Sequence, residues 1–110
     1  MKGTNLGEFE ELVLLTIAAL RAEAYSVAIV DELCNYAQRS VKLGVVHAVL
    51  NRLEEKGLVK SYLGEATKER GGKAKRFYQL TTAGKSALVR TRSMREQLYN
   101  RIPSLVWKHA

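Results

Sequence analysis

Between Leu50 and Leu80 the chain changes hydrophobic period once, and that change restricts the folds open to it more than any other feature. Val46, Leu50 and Leu53 recur at helical spacing, Gly57 stops the helix, and Leu58 to Leu63 and Phe77 to Leu80 follow as β-branched or aromatic-rich runs. Between the two runs lies a basic loop containing Lys68, Arg70, Lys73 and Lys75 around the pair Gly71-Gly72, which tolerates the positive φ of a turn. The pattern predicts a mainly α fold with a small β-hairpin. A helix packed against a cationic hairpin can set one element in a nucleic-acid groove while the other holds the backbone.

The 110 residues suffice for one modest core, so one site is expected. Charge is divided unevenly: residues 1–40 hold 3 basic and 6 acidic side chains, residues 41–110 hold 15 and 5. A surplus of cations in the second half is the footprint of a polyanion-binding surface, since each neutralised phosphate releases condensed counterions. With no bilayer-spanning apolar stretch, and with Glu8, Glu10 and Glu11 interrupting any secretory apolar core, the expected compartment is the cytoplasm and no membrane is a partner.

Four helices are expected. Residues 8 to 21 carry Phe9, Leu12, Val13, Ile17 and Leu20 on one face, with acidic residues in the first turn where the helix dipole favours them. Ser26 is the expected N-cap of a second helix to about Ala37, with Val27, Val30, Leu33, Cys34 and Ala37 as its buried stripe. A third begins near Lys42, where Ser40 is an alternative cap. The strands are expected at Leu58–Gly64 and Lys75–Leu80. Thr81 then caps a fourth helix running from Thr82 to about Arg101, before Pro103. Its apolar stripe of Ala87, Leu88, Leu98 and Ile102 is thin, so it is expected to dock on the first helix or on a partner subunit.

On a helical projection of residues 42–56, Leu43, Val46, Val49, Leu50 and Leu53 fall together, and Gly44, His47, Ala48, Asn51 and Glu55 fall opposite. The second face suits a groove-entering helix. Gly44 and Ala48 admit close approach, Asn51 can make paired hydrogen bonds to adenine, His47 and Arg52 can reach bases or phosphates, and Lys42 can add a phosphate contact. The expected DNA-binding set is therefore Lys42, Gly44, His47, Ala48, Asn51 and Arg52 on the helix and Lys68, Arg70, Gly71, Gly72, Lys73 and Lys75 on the hairpin. Catalysis finds little footing. His47 and His109 are far apart, Cys34 sits on the expected inward stripe, and the ligands for a metal site or the spacing for a nucleotide-binding loop are missing. No enzyme activity, metal or other cofactor is expected.

One long pattern begins at LGEFE with the following LVLLTIAAL, continues through AYSVAIVDEL and LGVVHAVLNRLEEKGLVKSYLGEA, and closes with ERGGKAKRFYQLTTAGKSAL. Together these stretches resemble the PadR family of bacterial transcriptional regulators. RLEEKGLV alone occurs in many winged-helix proteins, and its combination with RGGKAKRFYQLTTAG carries the likeness. The resemblance implies a winged helix-turn-helix that dimerises through its C-terminal helix, binds a roughly palindromic operator, usually represses, and in some members responds to aromatic compounds. Where the family commonly has a tyrosine on the recognition helix, this chain has His47; Ser26 replaces a common glycine and Lys42 a small capping residue.

The reading is thus a homodimeric repressor of double-stranded DNA targets, with residues 1–80 as the winged helix-turn-helix and 81–110 as dimerisation helix and tail. Tyr99 and Trp107 are candidates for binding a small aromatic effector, and Trp107 serves equally as a plug against the partner subunit. The rival reading is a winged-helix module that docks proteins without reading DNA.

Overall fold

A computed structural model describes residues 6–64 and 74–108. The elements are α1 (Glu8–Leu20), a single 3-10 turn (Arg21–Glu23), α2 (Ser26–Tyr36), α3 (Leu43–Glu55), β1 (Val59–Leu63), β2 (Arg76–Leu80), α4 (Thr82–Asn100) and α5 (Ser104–Trp107). The mainly α architecture with one antiparallel hairpin is the one the change of period predicts.

Each boundary has a local cause. At the start of α1 the Gly7 amide donates to Glu10 Oε1 at 2.9 Å, satisfying a donor at the helix entrance. Helix α3 ends in a Schellman turn: Gly57 takes φ 76°, its amide donates to the Glu54 carbonyl, and the Leu58 amide donates to the Leu53 carbonyl, both at 3.0 Å. Leu53 and Leu58, the apolar pair this turn brings together, are both core residues. Thr81 caps α4, its Oγ1 accepting from the Gly84 amide at 3.0 Å.

The core lies between α1, α2, α3 and the hairpin, and is built on Val13, Leu14, Ile17, Ile29, Leu33, Val46, Leu50 and Leu53. In the hairpin Val59 pairs with Leu80, Ser61 with Tyr78 and Leu63 with Arg76, so Val59 and Tyr78 face inward together. The far edge of β2 is also occupied. Tyr25 forms a bridge with Phe77, and the Tyr78 amide donates to the Ala24 carbonyl at 2.8 Å.

Three sequence expectations fail in the structure. Helix α2 buries Ile29 and Leu33, with Val30 and Ala37 half-buried, and leaves Val27 and Cys34 exposed. Apolar residues cover more than half its circumference, so spacing alone does not choose the buried arc; packing turned it toward Ile29. Leu43, at the first turn of α3, is likewise exposed, because the core begins one turn later at Val46. Ser26 is the first residue of α2 and not its cap, a position taken by Tyr25.

Helix α4 leaves the core part-way along. Gly84 and Ala87 are buried and Leu88 half-buried, but Met94, Leu98 and Tyr99, farther along the same stripe, are exposed. The molecule is correspondingly elongated, with a radius of gyration of 16.5 Å, against roughly 13 Å for a compact chain of this length.

Candidate nucleic-acid interface

Helix α3 presents one apolar and one polar face because its period matches the helix over its whole length. Val46, Val49, Leu50 and Leu53 anchor it in the core, while Gly44, His47, Ala48, Asn51 and Glu55 face solvent. Space around Gly44 is open: a Cβ built there meets nothing within 4 Å. Lys42, the N-cap residue, is exposed at the head of the same helix.

The hairpin root stands beside that face. A cleft of about 550 Å³ lies between them, with His47 and Asn51 on one wall and Lys75 and Arg76 on the other. Lys75 Nζ sits 3.6 Å from the centroid of the Tyr25 ring, a cation–π contact that holds the ammonium at the mouth. Tyr25 packs edge-on against Phe77, which stacks on Tyr62, giving the outer face of the hairpin an aromatic spine. On the opposite face a hydrogen-bond chain ties the hairpin to α3: Arg76 Nη1 donates to Ser61 Oγ at 3.0 Å, and Ser61 Oγ donates to Glu54 Oε2 at 2.9 Å. This hydrogen-bond chain fixes the hairpin root against α3.

Lys42, Gly44, His47, Ala48 and Asn51 are exposed along α3, and Lys75, half-buried just before β2, lines the cleft with His47 and Asn51. Arg52 lies at the edge of the helix face, its Nε 3.5 Å from Glu10 Oε2. Lys68, Arg70, Gly71, Gly72 and Lys73, the expected hairpin tip, lie outside the described residues, as does His109.

Sequence reasoning missed Glu10, the most buried carboxylate among the described residues. It accepts from Lys56 Nζ at 2.8 Å and from the Gly7 amide, and lies beside Arg52, linking the start of α1 to the end of α3. Burial alone raises its pKa, but the Lys56 hydrogen bond, the Gly7 amide and the two nearby cations outweigh that and hold it below the ordinary carboxylate value. A glutamate three residues into a helix is the familiar partner of the helix entrance, and this was its only sequence signal. Among the described residues no group of His, Cys, Asp and Glu side chains is arranged to hold a metal, and no helix is long and apolar enough to cross a membrane.

The sequence profile of the transcriptional regulator PadR-like family matches residues 14–90, a span running from α1 through the hairpin into α4. This chain belongs to that family. Its PadR-like fold is similar to a PadR-like transcription factor from Bacteroides fragilis, with TM-score 0.69 and 27% identity over 84% of each chain. It also resembles a PadR family regulator from Clostridium difficile R20291, with TM-score 0.61 and 25% identity over 81% of this chain and 91% of that one. An uncharacterized protein of Lysinibacillus sphaericus is 32% identical over 84 residues, spanning 74% of this chain and 72% of that protein. Membership makes the chain a DNA-binding transcriptional regulator and not an enzyme, and the matched span contains both α3 and the hairpin.

Proposed function

We propose that this PadR-like regulator acts in the cytoplasm as a homodimeric repressor that reads a roughly palindromic operator. Helix α3 enters the major groove, where Gly44 and Ala48 allow close approach and Asn51 and His47 meet base edges. Lys42 and Lys75 hold phosphates, and the hairpin tip with Lys68, Arg70, Gly71, Gly72 and Lys73 grips the neighbouring backbone or minor groove. Arg52, more than half exposed beside Glu10, joins them. The observation carrying this reading is the small, polar outward face of α3, set beside a cationic hairpin root and anchored behind by the core.

Residues 1–80 form the DNA-binding unit and residues 81–110 the dimer contact. The apolar residues Met94, Leu98 and Tyr99 of α4, with Leu105, Val106 and Trp107 of α5, support self-association, because all six stay exposed among the described residues. A twofold dimer then sets the half-site separation of the operator. Tyr99 and Trp107 stack with centroids 6.5 Å apart, which suits a surface for a planar aromatic effector that relieves repression.

Selecting bound fragments from a randomised duplex library tests the whole reading. Two inverted half-sites at constant separation are the expected product. A protein-docking module without DNA readout would return no consensus and show weak, nearly salt-independent affinity for random duplex.

A further inference from the structure

A second cleft lies where the end of α1, the two strands and the first turn of α4 meet. Its volume is about 440 Å³, within the roughly 300 to 1,000 Å³ of small-molecule sites. Ile17, buried, and Leu80, half-buried, form an apolar floor, and Arg21, Tyr62, Gln79 and Lys85 stand exposed around it. Among the described residues no carboxylate and no residue of α3 lines this cleft.

Its two cations are set apart from the others. Arg39, Arg52, Lys56, Arg92 and Arg95 are each ion-paired, whereas Arg21 and Lys85 take part in no ion pair among the described residues. Arg21 also holds φ 53° and ψ −118°, a conformation that favours glycine and strains an L residue. Strain of this kind persists where a side chain is needed at a position that the backbone alone would give to glycine. Lys85 lies in the first turn of α4, which holds no acidic residue, at the end of the helix dipole that repels a cation. An anion between them relieves that repulsion and gives the guanidinium a partner. Tyr62 adds a flat wall: Phe77 stacks on its ring with centroids 5.7 Å apart, and the ring is still 46% exposed. Gln79 brings an amide donor and an amide acceptor to the same rim.

We propose that this cleft binds a free mononucleotide, with its phosphate between the Arg21 guanidinium and the Lys85 ammonium, its base against Tyr62, and Gln79 meeting the polar edge of the base. An arginine fork matches two phosphate oxygens and a lysine adds a point charge. Stacking on an aromatic ring suits any base, and Ile17 and Leu80 lie under the less polar sugar. The site stands apart from the operator reading, because it shares no residue with α3 and its test needs no operator.

Calorimetric titration of the full chain with adenosine monophosphate, adenosine and inorganic phosphate tests it. The monophosphate is expected to bind about 10-fold or more tighter than either fragment, since adenosine lacks the charge-assisted hydrogen bonds and inorganic phosphate lacks the stacking. Arg21→Gly removes the guanidinium and relieves the backbone, so it should weaken the monophosphate about 10-fold while Tm stays level or rises. An arginine with a structural role alone would show no loss of binding there. Lys85→Ala, exposed on α4, should weaken it by a similar factor, and Tyr62→Leu should narrow the gap between the monophosphate and inorganic phosphate. Lys75→Ala, in the cleft beside α3, should bind it as wild type does. Equal affinity in wild type, Arg21→Gly and Lys85→Ala, absence of binding in all three included, overturns the site. A loss confined to Lys75→Ala places the ligand beside α3 and overturns it as well. Inorganic phosphate binding as tightly as the monophosphate leaves a free-anion site and overturns the mononucleotide. A single-stranded oligoadenylate that binds more tightly than the monophosphate, with the same dependence on Arg21, overturns it in favour of a nucleic-acid strand.

Discussion

Replacing Gly84 by alanine should weaken the fold although the substitution favours helix. In an exposed helix interior, glycine to alanine stabilises by roughly 0.5 to 1 kcal/mol. At Gly84 an added Cβ would stand 2.1 Å from the Leu58 carbonyl oxygen and 3.1 Å from its carbon, whereas ordinary contact begins near 3.4 Å. Backbone must therefore retreat by more than 1 Å, by subtraction of those distances. The obstructing atom is already committed, since the Leu58 oxygen accepts from the Thr81 amide at 3.1 Å and Thr81 Oγ1 donates to the Gly57 carbonyl at 2.6 Å. Retreat disturbs the end of α3, the start of β1 and the cap of α4 together.

Overpacking typically costs about 1 to 3 kcal/mol, and strain on backbone lies toward the upper end. Less the helical gain, a net loss of about 2 kcal/mol is expected, which lowers Tm by roughly 8 to 16 °C for a domain of this size. Thermal unfolding of Gly84→Ala beside wild type, at one fixed protein concentration because assembly shifts Tm, measures it. Gly44→Ala is the control: with no atom within 4 Å of its Cβ it should leave stability unchanged or slightly raised. A Gly84→Ala protein as stable as wild type would refute the close-approach argument.

Other perturbations report on separate parts of the molecule. Glu10, whose folded pKa is depressed, contributes stability that is complete well above its unfolded value near 4.5 and lost as pH falls through the lower folded value. Urea midpoints from pH 7 to pH 3 should drop below about pH 4.5 in wild type and flatten over that range in Glu10→Gln; parallel curves would remove Glu10 as the source. Asn51→Ala should relax discrimination at one base pair per half-site by about 1 to 3 kcal/mol while sparing random-duplex affinity, read by competition binding. Lys75→Ala should reduce the salt slope of binding by roughly one unit across all sequences, and an unchanged slope would separate Lys75 from the backbone. Leu98→Glu, on the exposed stripe of α4, should shift sedimentation toward monomer and weaken operator binding; a dimer of unchanged stability would move the contact elsewhere.

Much of the fold was legible because periodicity and turn chemistry agreed. The Leu50–Leu53 spacing, Gly57 and Thr81 each act through neighbours close in the chain, and α3, the hairpin and the cap of α4 appear where those residues predict. The outward face of α3 was legible for the same reason. What was not legible depends on contacts distant in sequence. The inward arc of α2 was decided by its neighbours and not by its own apolar residues, which left Cys34 in solvent. Glu10 gained its meaning only when folding brought Lys56 and Arg52 to it, and that pairing holds Arg52 at the edge of the outward face of α3.

The junction where Ala24 and Tyr25 pair with β2 has a mechanical consequence. The segment that launches α2 is stitched to the inner strand of the hairpin, and the hairpin is stitched through Ser61 and Glu54 to α3. A force that tilts α2 must drag the hairpin and α3 with it. Tilt of α2 is thus passed through β2 to α3, and the three elements move as one lever.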